Sequence, residues 1–319
     1  MLISLIDILV VIVPVLITVA YITLLERKVL AGMQRRVGPD TVGVFGILQP
    51  FADALKLLVK EIVVPQQAQT TLFLLAPSIT LISALIGWAV IPYGSSLVIA
   101  DIELGWLFYL AVASVGIYGI IFGGWAGNSA YALLGGLRST AHMISYELVL
   151  SGAALGALLL ASSFNLSLII SLQSYIWFAV PLIPLFLIFL ISGLAEINRT
   201  PFDLVEAESE LVSGFMTEHG GFVFVFYFLA EYSNIALISA ISATLWLGGY
   251  TLPIIDEPIY LSGIVLGVKA LLLVLTVIWV RGTLPRLRFD QLMYACWSIF
   301  LPLVFALVTL IFSLYVLTN

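Results

Sequence analysis

Eight apolar runs of about 18 or more residues fill most of this 319-residue chain, near positions 2 to 25, 70 to 92, 104 to 126, 141 to 162, 176 to 195, 219 to 248, 259 to 280 and 292 to 316. Most are long enough to cross about 30 Å of hydrocarbon with some tilt. Lipid offers no partner for a backbone amide, so such runs must satisfy their hydrogen bonds internally, as helices. With 62% of the residues apolar and only 9% charged, a water-soluble domain of this size could not cover itself. The expected fold is therefore all-α: one polytopic membrane domain over 1–319 with about eight transmembrane helices. Two further elements are expected in its connections, an amphipathic interfacial helix and a short acidic loop helix.

The basic residues orient the spans. The first connection holds Arg27, Lys28, Arg35, Arg36, Lys56 and Lys60, the third Arg138, the fifth Arg199, and the seventh Arg281, Arg286 and Arg288. The other connections and both termini hold none, and Lys269 alone lies inside a run. This alternation places the odd-numbered connections on the cytoplasmic or matrix side and both termini on the outer side.

The net charge of −6 comes from acids gathered in a few places. Basic patches for nucleic acid are absent, and a lone Cys296 cannot build a disulfide or a thiolate cluster. The two histidines, His142 and His219, fall at the ends of different apolar segments and are expected to be satisfied or solvated there, so no bound metal is expected. Nothing at the N-terminus suggests a removed targeting peptide.

Within the first inner connection, Phe51, Leu55, Leu58 and Ile62 share one helical face, with Asp53, Lys56 and Lys60 opposite. This is an interfacial helix. It either floats the loop on the headgroups or walls an opening for a lipid-like substrate. The fifth connection carries Glu196, Asp203, Glu206, Glu208, Glu210 and Glu218 against one Arg199. Thr200-Pro201-Phe202-Asp203 there reads as a helix start, with Thr as N-cap and Pro at the first helical position. Crowded carboxyls raise one another's pKa and can exchange protons. Glu147 lies nine residues past Arg138 and Glu231 thirteen past Glu218, about 13 and 20 Å along a helix. Acids at that depth, like Lys269, normally face a polar cavity or a partner and mark an ion or proton path. Ser145, Tyr146, Tyr232 and Asn234 beside them are candidates to extend a hydrogen-bonded chain.

The order of motifs resembles one family. Leu25-Glu26-Arg27-Lys28, Met33-Gln34-Arg35-Arg36-Val37-Gly38-Pro39, Leu48-Gln49-Pro50-Phe51-Ala52-Asp53, Ser145-Tyr146-Glu147, Ala195-Glu196-Ile197-Asn198-Arg199-Thr200-Pro201-Phe202-Asp203-Leu204, Glu206-Ala207-Glu208-Ser209-Glu210-Leu211, Ala230-Glu231-Tyr232 and Leu284-Pro285-Arg286-Leu287-Arg288-Phe289-Asp290 look like subunit 1 of the NADH:ubiquinone oxidoreductases, respiratory complex I. The resemblance covers essentially the whole chain. Two positions depart from it: His142 stands where Gln is usual, and His219 where Tyr is usual.

The resemblance implies a membrane-arm subunit at the junction with the hydrophilic arm, in the mitochondrial inner membrane or a bacterial plasma membrane. Ubiquinone is then the substrate, held in a chamber shared with neighbouring subunits, and this chain carries no redox centre, metal or flavin. Arg27, Arg36, Phe51 and Asp53 would line the quinone chamber. Glu147, Glu196, Asp203, Glu206, Glu208 and Glu231 would form a proton relay that couples quinone reduction to translocation. The residues alone also admit an ion-coupled secondary transporter, and a membrane subunit of a related hydrogenase-type complex stands beside it.

Overall fold

The computed structural model describes residues 2–94, 97–203, 213–253 and 259–318. Among them all regular structure is helical. Helix α1 spans Leu2–Met33, α2 Gln49–Val59, α3 Thr70–Ile86, α4 Gly105–Ala126, α5 Ala130–Ala161, α6 Leu166–Leu172 and α7 Ile183–Glu196. Then come α8 over Phe222–Trp246, α9 over Ile259–Thr283, and α10 (Phe289–Tyr294) joined through a π-helical stretch to α11 (Leu301–Thr318). Among the described residues seven segments are long and apolar enough to cross a membrane, α10 and α11 counting as one. The eighth, α7, is apolar but has 14 residues.

Helices α8 and α5 organise the bundle. Helix α8 packs on α1, α3 and α9, while α5 packs on α4, α7 and α11. The half of α8 from Ile235 to Trp246 is buried all round, as a central span must be. Trp246 at its end lies against Phe189 and Phe186 of α7. By contrast α1 and α11 keep wide apolar faces at the surface, including Leu9, Val10, Phe305 and Leu310.

Several expectations need revision. Helix α1 continues through Glu26, Arg27 and Lys28 to Met33, well past the expected end at 25. The fifth span begins at Ile183, not 176. Gln173 explains the shortfall: its side-chain amide donates to the carbonyls of Thr244 and Leu245 (3.2 and 3.1 Å) and accepts from the Phe178 N–H (3.2 Å). Segment 173–182 is thereby tied, non-helical, to the end of α8. At membrane depth such backbone survives only against protein. Helix α2 stops at Val59, with Lys60 extended, so Ile62 lies outside its apolar face. Thr200-Pro201 starts no helix: residues 200–203 are turn and coil, and the Thr200 hydroxyl points to the Arg281 carbonyl at 3.5 Å. The acidic loop helix, with Glu206, Glu208 and Glu210, falls on residues outside the described ones.

Candidate functional site

Where α3, α4, α5, α7 and α8 meet, they enclose a cavity of about 90 Å³, room for several waters. Its apolar wall includes Val112, Met143 and Ile238, and its polar wall Tyr109, Glu196, Asn198, Glu231 and Asn234. Two of the expected relay acids thus face one space from different elements. Glu196 is the last residue of α7, buried and within reach of the Tyr109 hydroxyl. Glu147, half-buried on α5, accepts a 2.5 Å hydrogen bond from Ser114 of α4 and stands close enough to Glu196 for mutual repulsion.

Glu231 ends a second, charge-balanced group. The Arg199 guanidinium bridges Glu231 (Nε to Oε1, 2.6 Å) and Glu26 (3.6 Å), lying over the Tyr232 ring at 4.6 Å. The Tyr232 hydroxyl donates to Glu26 at 2.5 Å, and Arg281 pairs with the same carboxylate. Two arginines and two glutamates from α1, α8, α9 and the turn after α7 form one buried network. Such a network is stable only while every member is in place, because each ion left without its partner incurs the desolvation penalty.

Asp203 is nearly inaccessible and pairs with Arg286 at 3.0 Å. The Leu287 N–H donates to the Pro201 carbonyl at 3.0 Å, so the fifth and seventh connections are pinned together. Asp203 is joined to a cation of its own and does not line the cavity with Glu196 and Glu231.

Of the expected chamber residues, Arg27 and Asp53 pair at 2.6 Å with both side chains exposed, and Gln49 donates to the second Asp53 oxygen at 2.9 Å. Phe51 meets Tyr21 of α1 edge to face, ring centres 6.2 Å apart. Arg36 lies apart, bonded to Gln34 at 2.7 Å. Consecutive residues of α1 therefore serve two environments: Glu26 points into the buried network, and Arg27 out to α2.

The polar neighbours divide. Tyr232 and Asn234 join the network and the cavity, whereas the Tyr146 hydroxyl turns away to the Leu292 carbonyl (3.1 Å) and Ser145 bonds Ala141 within its own helix. Lys269 lines no described cavity: its ammonium donates to the carbonyls of Leu247, Gly249 and Thr251 (2.7, 2.8 and 2.6 Å), capping the turn after α8. His142 sits inside α5, not at its end, fully buried, with Nδ1 3.2 Å from Asn198 Oδ1. His219, just before α8, is stacked on Phe73 with ring centres 4.0 Å apart. Burial pushes its pKa down to about 4, and the Gly123 backbone offsets this only in part. Sequence reasoning did not assign Glu26, Tyr109, Ser114, Asn198, Arg199 or Arg281 to the site. A charged residue just beyond an apolar run with no helix breaker after it was the available signal for Glu26.

Among the described residues no cluster of three or more His, Cys, Asp or Glu side chains has metal-binding spacing. The profile of the NADH dehydrogenase family matches residues 6–312. NADH-ubiquinone oxidoreductase chain 1 of Mycosarcoma maydis is 54% identical over 98% of this chain and 96% of its own length. The protein of the same name from Podospora anserina is 50% identical over 97% of this chain and 94% of its own, and that from Yarrowia lipolytica 47% identical over 98% and 96%. With the match running almost end to end and the helical membrane fold in agreement, the chain belongs to the NADH dehydrogenase family.

Proposed function

We propose that this chain is a membrane-arm subunit of a proton-translocating NADH:ubiquinone oxidoreductase, walling part of the ubiquinone passage and linking it to an acidic relay. The observation that carries this reading is the division of labour on α1. Arg27 and Asp53 present an exposed ion pair beside Phe51 at the α1–α2 junction, while the adjacent Glu26 is held with Arg199, Arg281 and Tyr232. A change of charge at the quinone side is thus one residue from a network that ends on Glu231 at the cavity.

The proposed chemistry follows. Reduction of a quinone to a quinol takes up two electrons and two protons, and the electrons come from partner subunits. Phe51 and its apolar neighbours on α2 contact the isoprenoid tail, and Arg27 and Arg36 favour the negative charge that develops on reduction. Arg199 holds the Glu231 carboxylate at 2.6 Å. Drawing the guanidinium toward Glu26 weakens that hold, so Glu231 takes up a proton and passes it across the cavity through water to Glu196 and Glu147. Asp203, paired with Arg286, stands at the inner mouth of the relay, and Glu206 and Glu208 are assigned to the relay on the family resemblance alone. The setting is the mitochondrial inner membrane, with both termini on the outer side. Partners are the other membrane-arm and hydrophilic-arm subunits, with lipid around the bundle and no nucleic acid; the chain itself holds no metal or flavin.

A photoreactive ubiquinone analogue tests the passage. Crosslinks in the intact complex are expected on 27–53 and to be competed away by ubiquinone; crosslinks confined to the outer connections would refute it.

A further inference from the structure

His142 has no part in the relay as described, yet its side chain is wholly enclosed. Nδ1 lies 3.2 Å from Asn198 Oδ1. An amide oxygen only accepts, so Nδ1 carries the proton and Nε2 is left as an acceptor. Nε2 has no hydrogen-bond partner among the described residues. The ring is packed between Tyr146 and Phe202, with centres 4.7 and 6.2 Å away. Packing alone would be served by any ring of this size, and the polar contact singles out Asn198.

Asn198 stands just past the end of α7 with φ +55°, the left-handed conformation that Asn tolerates better than most residues. It lines the cavity beside Glu196. The next residue is Arg199, whose guanidinium reaches Glu231 and Glu26. The chain reversal at Asn198 therefore decides where Arg199 points.

We propose that His142 is a positioning residue for the relay: its Nδ1–H holds the Asn198 amide, fixes the reversal, and so sets Arg199 between Glu26 and Glu231. This rests on the relay reading given above. His142 moves no proton itself. It restricts the arginine to the arc in which Glu231 is engaged, so that release of Glu231 needs a change at Glu26 and not a random excursion of the turn.

The test uses the intact, assembled complex. An Asn side chain places its amide nitrogen as many bonds from Cα as Nδ1 does, while Leu keeps bulk without a donor. His142→Leu is expected to lower kcat for coupled quinone reduction about fivefold, as loss of one neutral hydrogen bond implies, with the quinone KM unchanged. His142→Asn should stay within about twofold of the parent, the donor being kept. Asn198→Gly removes the acceptor at a position where glycine accepts the φ, and should match His142→Leu. The double variant should be no worse than either single one. Equal losses for His142→Asn and His142→Leu, additive losses in the double variant, or unchanged kcat in Asn198→Gly would each overturn the proposal. If His142→Leu fails to assemble, Asn198→Gly decides alone, since it leaves the His142 packing intact. A fully coupled Glu231→Gln complex would refute the relay, whereas additivity between positions 142 and 198 would refute only this inference.

Discussion

Replacing Arg199 by Met asks most of the buried network. The guanidinium lies 2.6 Å from Glu231 and 3.6 Å from Glu26, with the Arg199 side chain 4% exposed. At an effective dielectric of about 20, a unit pair near 3.6 Å attracts by roughly 5 kcal/mol. Removal of one partner from a buried pair costs about 3–5 kcal/mol, because the remaining charge keeps its desolvation penalty. Glu26 retains Arg281 and Tyr232, so most of the loss falls on Glu231. Thermal dissociation of the purified complex should therefore begin well below that of the parent. Adding Glu231→Gln to Arg199→Met removes the carboxylate that faced the arginine and should restore more than half of the lost stability. The assay is a double-mutant cycle on the dissociation midpoint, read by native electrophoresis. Unchanged stability in Arg199→Met, or strictly additive losses in the pair, would show that the four ions do not act as a unit.

Three further outcomes follow from other parts of the fold. Phe51→Asp on the apolar face of α2 should slow turnover with long-tailed quinones about tenfold while sparing short soluble analogues, as expected when a tail loses about 1.4 kcal/mol of apolar contact; equal losses for both substrates would refute a passage role. Lys269→Met strips three carbonyls after α8 of their cationic donor and should destabilise the subunit by about 3 kcal/mol, with proton stoichiometry unchanged in whatever complex assembles; a changed stoichiometry would place Lys269 in the relay. His219 is held near pKa 4 against about 6.5 unfolded, so the unfolded chain binds the extra proton between those values. Its contribution, up to about 3 kcal/mol, is complete above pH 6.5 and declines as pH falls toward 4. His219→Phe should flatten the thermal midpoint across that window, and an unaltered slope would refute the assignment.

The eight apolar runs were legible because membrane insertion is decided locally, by some twenty residues at a time. What failed was information held between distant residues. Glu26 reads as the start of a loop, yet it is buried by Arg199, Tyr232 and Arg281, which lie 173 to 255 positions further on. The expected fifth span was too long because Gln173 commits the preceding segment to the end of α8. Lys269 was legible as a deep charge, though nothing local shows that the turn after α8 folds back to receive it. The Thr200-Pro201 pattern is a sound helix start by itself, and tertiary pairing of Pro201 with Leu287 and Asp203 with Arg286 overrides it. Glu147 and Glu231 were found by depth and Glu196 by its place in the acidic fifth connection; the structure brings Glu196 and Glu231 to one cavity, with Glu147 close to Glu196. The family resemblance supplied the quinone and the partners, which no spacing in the sequence encodes.

The central claim is that these carboxyls act as protonatable groups and not as packing, and proton stoichiometry measures this directly. Glu196→Gln keeps the shape and the hydrogen-bonding reach of a residue lining the cavity but cannot titrate. In the assembled complex, reconstituted in sealed vesicles, the account predicts a reduced number of protons moved per NADH oxidised, and a deficit that varies between about pH 6 and 9. Full stoichiometry across that range, at normal assembly, would contradict the relay and leave Glu196 as a structural partner of Tyr109.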